Sequence, residues 1–194
     1  MQESYVLLEP LAKLLNQPGA VVLVVLLVMA AVIDWRTYRI PNWLTAGGMA
    51  FGLIYNSVIA QTWHDGLLSA LAGLGVGLVV LLPVYALRVM GAGDVKLMAM
   101  VGAFVGLPDI LGAVLYSLIV GGVAAVGFAL YHRALRRMTA NIMDIVQSMA
   151  FAAVVGSRPT PALSGRASIG KLPYGVSIAV GTIAWLGARL FGIA

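Results

Sequence analysis

Residues 67–87 read LLSALAGLGVGLVVLLPVYAL and residues 110–131 read ILGAVLYSLIVGGVAAVGFALY, two runs that carry no formal charge. Each exceeds the ~20 apolar residues with which a helix crosses a hydrocarbon core of about 30 Å. Around them the chain of 194 residues is 61% hydrophobic and 10% charged, whereas ordinary soluble domains carry about 25% charged and roughly 45 to 50% apolar residues. A water-soluble globule is thereby excluded. The pattern predicts an all-α, polytopic membrane helix bundle.

Working outward from those runs, six transmembrane helices are predicted at about Pro18–Trp35, Trp43–Ala60, Leu67–Leu87, Val95–Leu107, Ile110–Tyr131 and Leu172–Gly192, in a single membrane domain covering residues 1–194. The longest connection is the polar stretch His132–Lys171. Within it Met138, Ile142, Ile145, Met149 and Ala152 recur every three or four residues, which predicts one amphipathic helix lying on the inner leaflet. The Gly156–Gly170 segment reads as a mobile loop. Residues Met1–Gln17 mix Glu3, Glu9 and Lys13 with apolar residues and lack a basic start, so the first hydrophobic helix is expected to stay in place rather than to be removed as a signal peptide.

The net charge of +5 is explained by orientation. If the amino terminus lies outside, every Lys and Arg except Lys13 and Arg189 falls on the cytoplasmic side, as the positive-inside rule requires. No basic cluster is interleaved with stacking aromatics, so no nucleic-acid partner is expected. The partner implied by composition is the lipid bilayer. The chain has no cysteine, which excludes disulfides, thiolate metal sites and a cysteine nucleophile.

The fourth predicted helix, 95–107, is about 20 Å long at 1.5 Å per residue, too short to span the core alone. Its outer end is fixed by the Leu107-Pro108-Asp109 corner, so its inner end, carrying Gly91-Ala92-Gly93-Asp94, is expected to be set into the bilayer. Irregular backbone at that depth requires cover by protein or a wet cavity, and a water-accessible cavity is expected at Asp94. Glycines four apart (Gly48/Gly52, Gly73/Gly77, Gly102/Gly106) read as close helix packing in lipid and carry no chemistry.

Seven acids occur in the chain. Glu3 and Glu9 lie in the amino-terminal tail, Asp65 and Asp109 in outer corners, and Asp144 on the interfacial helix. Asp34 and Asp94 remain, and both fall at the same inner level. A carboxylate at membrane depth costs at least about 2.5 kcal/mol on insertion scales, which makes it a functional candidate. Two carboxylates within a few ångströms cannot both ionise readily and share a proton. Such a pair suits peptide cleavage without metal or cofactor: the ionised group takes a proton from attacking water, and the protonated group hydrogen-bonds the scissile carbonyl and then protonates the leaving amine. Gly91 and Gly93 leave room for a substrate backbone. An Asp at a helix start is also a favoured cap.

Lys96 biases the pair's ionisation, binds a substrate carboxylate or, in the reading favoured here, snorkels to the interface. Pro41 stops the preceding turn and Asn42 caps the second helix. His64 and His132 fall on opposite sides of the membrane and form no common site.

Three motifs together resemble the type IV prepilin peptidases, the prokaryotic members of the GxGD intramembrane aspartic proteases. They are Asp34 followed by Arg39-Ile40-Pro41-Asn42, Gly91-Ala92-Gly93-Asp94 followed by Lys96-Leu97, and Lys171-Leu172-Pro173-Tyr174-Gly175 opening the last helix. The resemblance implies that Asp34 and Asp94 are the catalytic pair, with Gly91, Gly93, Lys96, Pro41, Asn42, Pro173 and Tyr174 shaping the site or binding substrate. It also implies an inner-membrane endopeptidase with its site toward the cytoplasm. The implied substrate is a prepilin or pseudopilin precursor whose short basic leader is removed after a glycine. No cofactor, metal or particular oligomeric state is implied. Longer relatives carry a cysteine-bearing cytoplasmic domain between the first two helices and methylate the new amino terminus. Here only Arg36–Asn42 stand there, so methyl transfer is not expected, and the chain is similar to the short peptidases of Flp or tight-adherence pilus systems.

A second class of function fits the same pair, a small proton- or ion-coupled transporter with Asp34 and Asp94 as a relay. It predicts repeated halves, and the surroundings of the two acids do not align. A structural subunit of a secretion apparatus would leave the paired carboxylates unexplained.

Overall fold

The computed structural model describes residues 16–86, 89–131 and 173–192, together with 133, 139, 143 and 147. The described residues form six α-helices: α1 (Pro18–Thr37), α2 (Asn42–Ile59), α3 (Trp63–Ala86), α4 (Ala92–Val105), α5 (Ile110–Tyr131) and α6 (Tyr174–Leu190). Three of them, α1, α3 and α5, are long and apolar enough to cross a membrane, and α6 is a shorter apolar helix of 17 residues. The protein is a helical membrane bundle. Of the expected amphipathic helix at 138–152 only 139, 143 and 147 are described, and the loop at 156–170 and the Lys171-Leu172 dipeptide lie outside the described residues.

Chain contacts divide the molecule into two units. The smaller, Gly122–Leu172, contains the second half of α5, and in it Arg133 takes a left-handed backbone with φ 50. The larger unit, Met1–Gly121 with Pro173–Ala194, holds everything that bears on the site.

At the centre of the larger unit stands α4, only 14 residues long, in contact with α1, α2, α3 and α6. From Val95 to Phe104 all of its residues except Lys96 are buried. In lipid, apolar surface gains nothing by hiding from a hydrocarbon solvent, so close approach of small residues decides what packs inside. Accordingly Val25, Val28 and Val32 of α1 and Leu68, Leu71 and Val79 of α3 point outward, while glycines face α4. The backbones of Gly73 and Gly102 touch, and a methyl at either would meet the other's backbone. A Cβ on Gly52 would stand 2.9 Å from the Ala103 carbonyl oxygen. The expectation that the paired glycines serve helix packing is met at these positions.

The far end of α4 is closed by side chains of its neighbours. Asn56 Nδ2 donates to the carbonyls of Ala103 and Phe104, both at 2.9 Å, satisfying acceptors that the last turn leaves free. Gly106 follows at φ 69, a conformation that glycine adopts without the steric cost a Cβ brings. At this end Asp109 pairs with Arg189, whose guanidinium lies 5.5 Å over the Trp185 ring.

Two helix starts differ from those expected by three residues or more. Helix α3 begins at Trp63 rather than near Leu67, because Thr62 and Asp65 close its first turn: the Thr62 hydroxyl donates to Asp65 and accepts from the Asp65 amide at 3.3 Å. This reciprocal capping places Asp65 inside a helix start, not in a connecting corner. Helix α4 begins at Ala92, so Asp94 is its third residue.

The packing makes a direct prediction. Gly102→Ala should destabilise the folded protein by about 1–3 kcal/mol, the usual range for overpacking a tight core. Gly75→Ala, whose Cβ would meet nothing within 4 Å, should leave the detergent-solubilised melting temperature unchanged or slightly raised.

Candidate active site

The end of the larger unit opposite the Asp109–Arg189 pair gathers the described residues of all three sequence motifs. Asp34 sits in the last turn of α1 and is 4% exposed. Its Oδ2 accepts the Gly175 amide at 2.9 Å, across 141 positions of chain, and the Val176 amide is also directed at the carboxylate. The Gly175 amide belongs to the first turn of α6, whose amides lack partners in the regular helical pattern, while the Val176 amide also donates to the Pro173 carbonyl at 3.2 Å. Pro173 stands as N-cap without any side-chain cap. The aspartate of α1 thus does the capping of α6 from outside, where the positive end of the helix dipole also favours a carboxylate.

Asp94 is held differently. Its Oδ2 accepts the Gly91 amide at 2.9 Å while its own amide donates to the Gly91 carbonyl at 3.2 Å. The GxGD segment therefore closes the first turn of α4 on itself, as a capping box does, with a glycine in the position usually taken by Ser or Thr. Asp94 is 7% exposed.

Asp34 and Asp94 come from different helices yet stand close enough for their charges to interact. Tyr174, the first residue of α6, is also within electrostatic reach of Asp94. The first turn of α6 thus bears on both acids, binding Asp34 through the Gly175 amide and bringing Tyr174 within electrostatic reach of Asp94. Among the described residues no cluster of three His, Cys, Asp or Glu side chains occurs at this or any other place.

The turn between α1 and α2 closes one side. Tyr38 ends α1 with φ 52, and Ile40-Pro41-Asn42 leads into α2. Sequence reasoning assigned the capping of α2 to Asn42. The structure makes Pro41 the N-cap, its carbonyl accepting the amides of Leu44 and Thr45 at 3.2 and 3.4 Å, and places Asn42 as the first helical residue. This frees the Asn42 side chain, whose Oδ1 accepts Lys96 Nζ at 2.9 Å. Lys96, expected to snorkel, has a protein acceptor that ties α4 to the start of α2. The remaining members of the expected set fall at this end as well: Gly91 is the N-cap of α4, Gly93 packs on Ile40, and Pro173 precedes α6.

Two residues at the site were missed. Gly175 was quoted in a motif but given no role, yet a Cβ there would stand 2.8 Å from Asp34 Oδ2 and 2.9 Å from Ile40 Cδ1. Ile40 was passed over as apolar. The available signal for Gly175 was its position just inside a helix start, directly after a proline and a tyrosine, where a carboxylate from elsewhere can reach the backbone. Among the described residues the remaining acids and histidine lie away from the site. Asp65 and Asp109 lie at the opposite end, and His64 stacks on Trp63 at 3.4 Å between ring centroids.

A family model described as the type IV leader peptidase family matches residues 21–126, a span that includes both Asp34 and Asp94. Over 116 residues the chain is 33% identical to the prepilin leader peptidase/N-methyltransferase of Escherichia coli (strain K12), an alignment covering 56% of this chain and 48% of that protein. The chain therefore spans about half the length of that curated relative. No solved structure matches the chain significantly. With more than half of its residues inside the matched span, the chain belongs to the type IV leader peptidase family.

Proposed function

We propose that the protein is a membrane aspartic endopeptidase that removes the leader peptide from type IV prepilin-like precursors of the Flp type, at the cytoplasmic face of the inner membrane. Asp34 and Asp94 are the catalytic pair. One observation carries this reading: two buried carboxylates, contributed by α1 and α4, converge within electrostatic reach at one end of a helix bundle. Family membership and the name of the bacterial relative support the class of reaction.

The chemistry follows from what two neighbouring carboxyls do. The ionised one removes a proton from water as the water attacks the scissile carbonyl. The protonated one donates a hydrogen bond to the carbonyl oxygen, then supplies a proton to the leaving amine. Fixing both groups by backbone amides lowers the reorganisation needed when charge develops. The substrate's hydrophobic helix stays in the bilayer beside the enzyme, which brings the leader junction to the level of the pair. Lys96 and Asn42, joined by their hydrogen bond, form the rim next to Asp94. The proposal covers cleavage alone. Methyl transfer is part of the relative's name, and nothing at this site calls for it.

Co-expression with candidate prepilins tests the reading by leader loss on a gel. Asp34→Asn and Asp94→Asn, at unchanged protein levels, should each abolish the shift, and processing that survives either substitution would exclude the pair as the catalyst.

A contrast between two glycines tests the geometry. Gly175→Ala places a methyl 2.8 Å from Asp34 Oδ2 and should lower the cleavage rate by about tenfold or more, since sub-ångström displacement of a reacting group is costly. Gly91→Ala, whose Cβ would meet nothing nearer than 3.5 Å, should keep the melting temperature. The nearest atom to that Cβ is Asp94 Oδ2, so a loss of cleavage at unchanged stability reports on the space beside that carboxylate.

A further inference from the structure

The site contains a spacer. Ile40, 9% exposed, lies between the two helix starts that hold the acids. A Cβ built on Gly93, next to Asp94 in α4, would stand 3.2 Å from Ile40 Cβ, and one built on Gly175, whose amide holds Asp34, would stand 2.9 Å from Ile40 Cδ1. Both neighbours lack a side chain at the points where Ile40 presses. The two glycines and the isoleucine therefore form one packed layer, with the base of the Ile40 side chain against α4 and its tip against α6.

Ile40 has the properties of a fixed spacer. It is β-branched and therefore stiff at χ1. It precedes Pro41, which restricts its backbone to extended conformations. Pro41 itself has φ −66 and is anchored as the N-cap of α2, and the Lys96–Asn42 hydrogen bond ties that same turn to α4 one helical turn beyond Gly93. The side chain enters from a turn held at both sides, and it cannot easily yield when α4 or α6 moves.

We propose that Ile40 is a positioning residue that sets the separation of Asp34 and Asp94 by wedging between Gly93 and Gly175. Its effect on cleavage rests on the peptidase reading above, whereas its effect on the spacing of positions 34 and 94 does not. The acids themselves touch neither each other's helix backbone nor a common donor in any hydrogen bond of the described residues. Their distance is thus inherited from the helix starts that carry or cap them, and Ile40 is packed between those starts.

The experiment uses two readouts. The chain has no native cysteine, so Asp34→Cys/Asp94→Cys introduces the only thiols, and two bis-alkylating thiol reagents of different length report their separation. Adding Ile40→Ala should change the ratio of the two cross-linking rates several-fold, and Ile40→Val, which keeps the β-branch and loses the tip, should change it less. In the chain with native aspartates, cleavage of a synthetic peptide comprising a basic leader, a glycine and an apolar pilin-like start is followed in vesicles. Ile40→Ala should lower kcat by about tenfold while KM stays within about twofold, and Ile40→Val should recover most of the rate.

An unchanged cross-linking ratio in monodisperse, folded Ile40→Ala protein overturns the proposal, and so does a changed ratio with kcat unaffected or with the loss confined to KM. If the unsubstituted chain fails to cleave while the ratio still shifts, the peptidase reading falls and the spacing role of Ile40 stands.

Discussion

A carboxylate withdrawn from water must find hydrogen-bond donors where it is buried, and in a helical membrane protein the spare donors are the first-turn amides of helices. That constraint organises this molecule. Asp34 takes the amide of Gly175 at the start of α6, and Asp94 takes the amide of Gly91 at the start of its own helix. Because both helix starts lie at the same end of the bundle, satisfying each acid separately brings the two together. The electrostatic proximity of Asp34 and Asp94 follows from where each is capped. Capping and chemistry are usually treated as alternative roles for an aspartate, and the proposed function assigns both to Asp34 and Asp94.

The depth of the pair depends on α4. At 14 residues it is the shortest of the described helices, and it is surrounded on several sides, so its two ends must be satisfied by neighbouring elements and not by solvent. Asn56 closes one end and the GxGD turn closes the other. Glycines on α2 and α3 bring those helices to backbone contact with it. The same small residues that bind the bundle in lipid thereby fix how far α4, and with it Asp94, can slide along its neighbours.

Much of this was legible in the chain. The uncharged runs 67–87 and 110–131 mark membrane helices, and the shortness of the fourth segment points to an inner end set into the bilayer. The two acids left without a surface explanation, Asp34 and Asp94, are the two that the fold buries at one end. What the sequence did not show depends on contacts between distant positions. The Gly175–Asp34 hydrogen bond spans 141 residues, and no periodicity in α1 or α6 encodes it. Ile40 looked like any apolar residue before a proline, because its importance comes from the absence of side chains on Gly93 and Gly175. At a helix start Asn most commonly serves as the cap. The preceding proline carbonyl occupies that position instead, and the Asn42 amide group turns to Lys96. Helix α3 starts earlier than its apolar run because the Thr62–Asp65 hydrogen bonds extend it by a turn.

The central claim is that the two acids act as one unit. Its most direct test is a double-mutant cycle on leader removal by purified protein in vesicles, comparing the unsubstituted chain with Asp34→Asn, Asp94→Asn and the doubly substituted chain. Groups that act together lose their combined effect when either is removed, so each single substitution should cost about 10³-fold or more in turnover and the second should add almost nothing. Substantial turnover in either single variant, or two losses that multiply as for independent sites, would contradict the account.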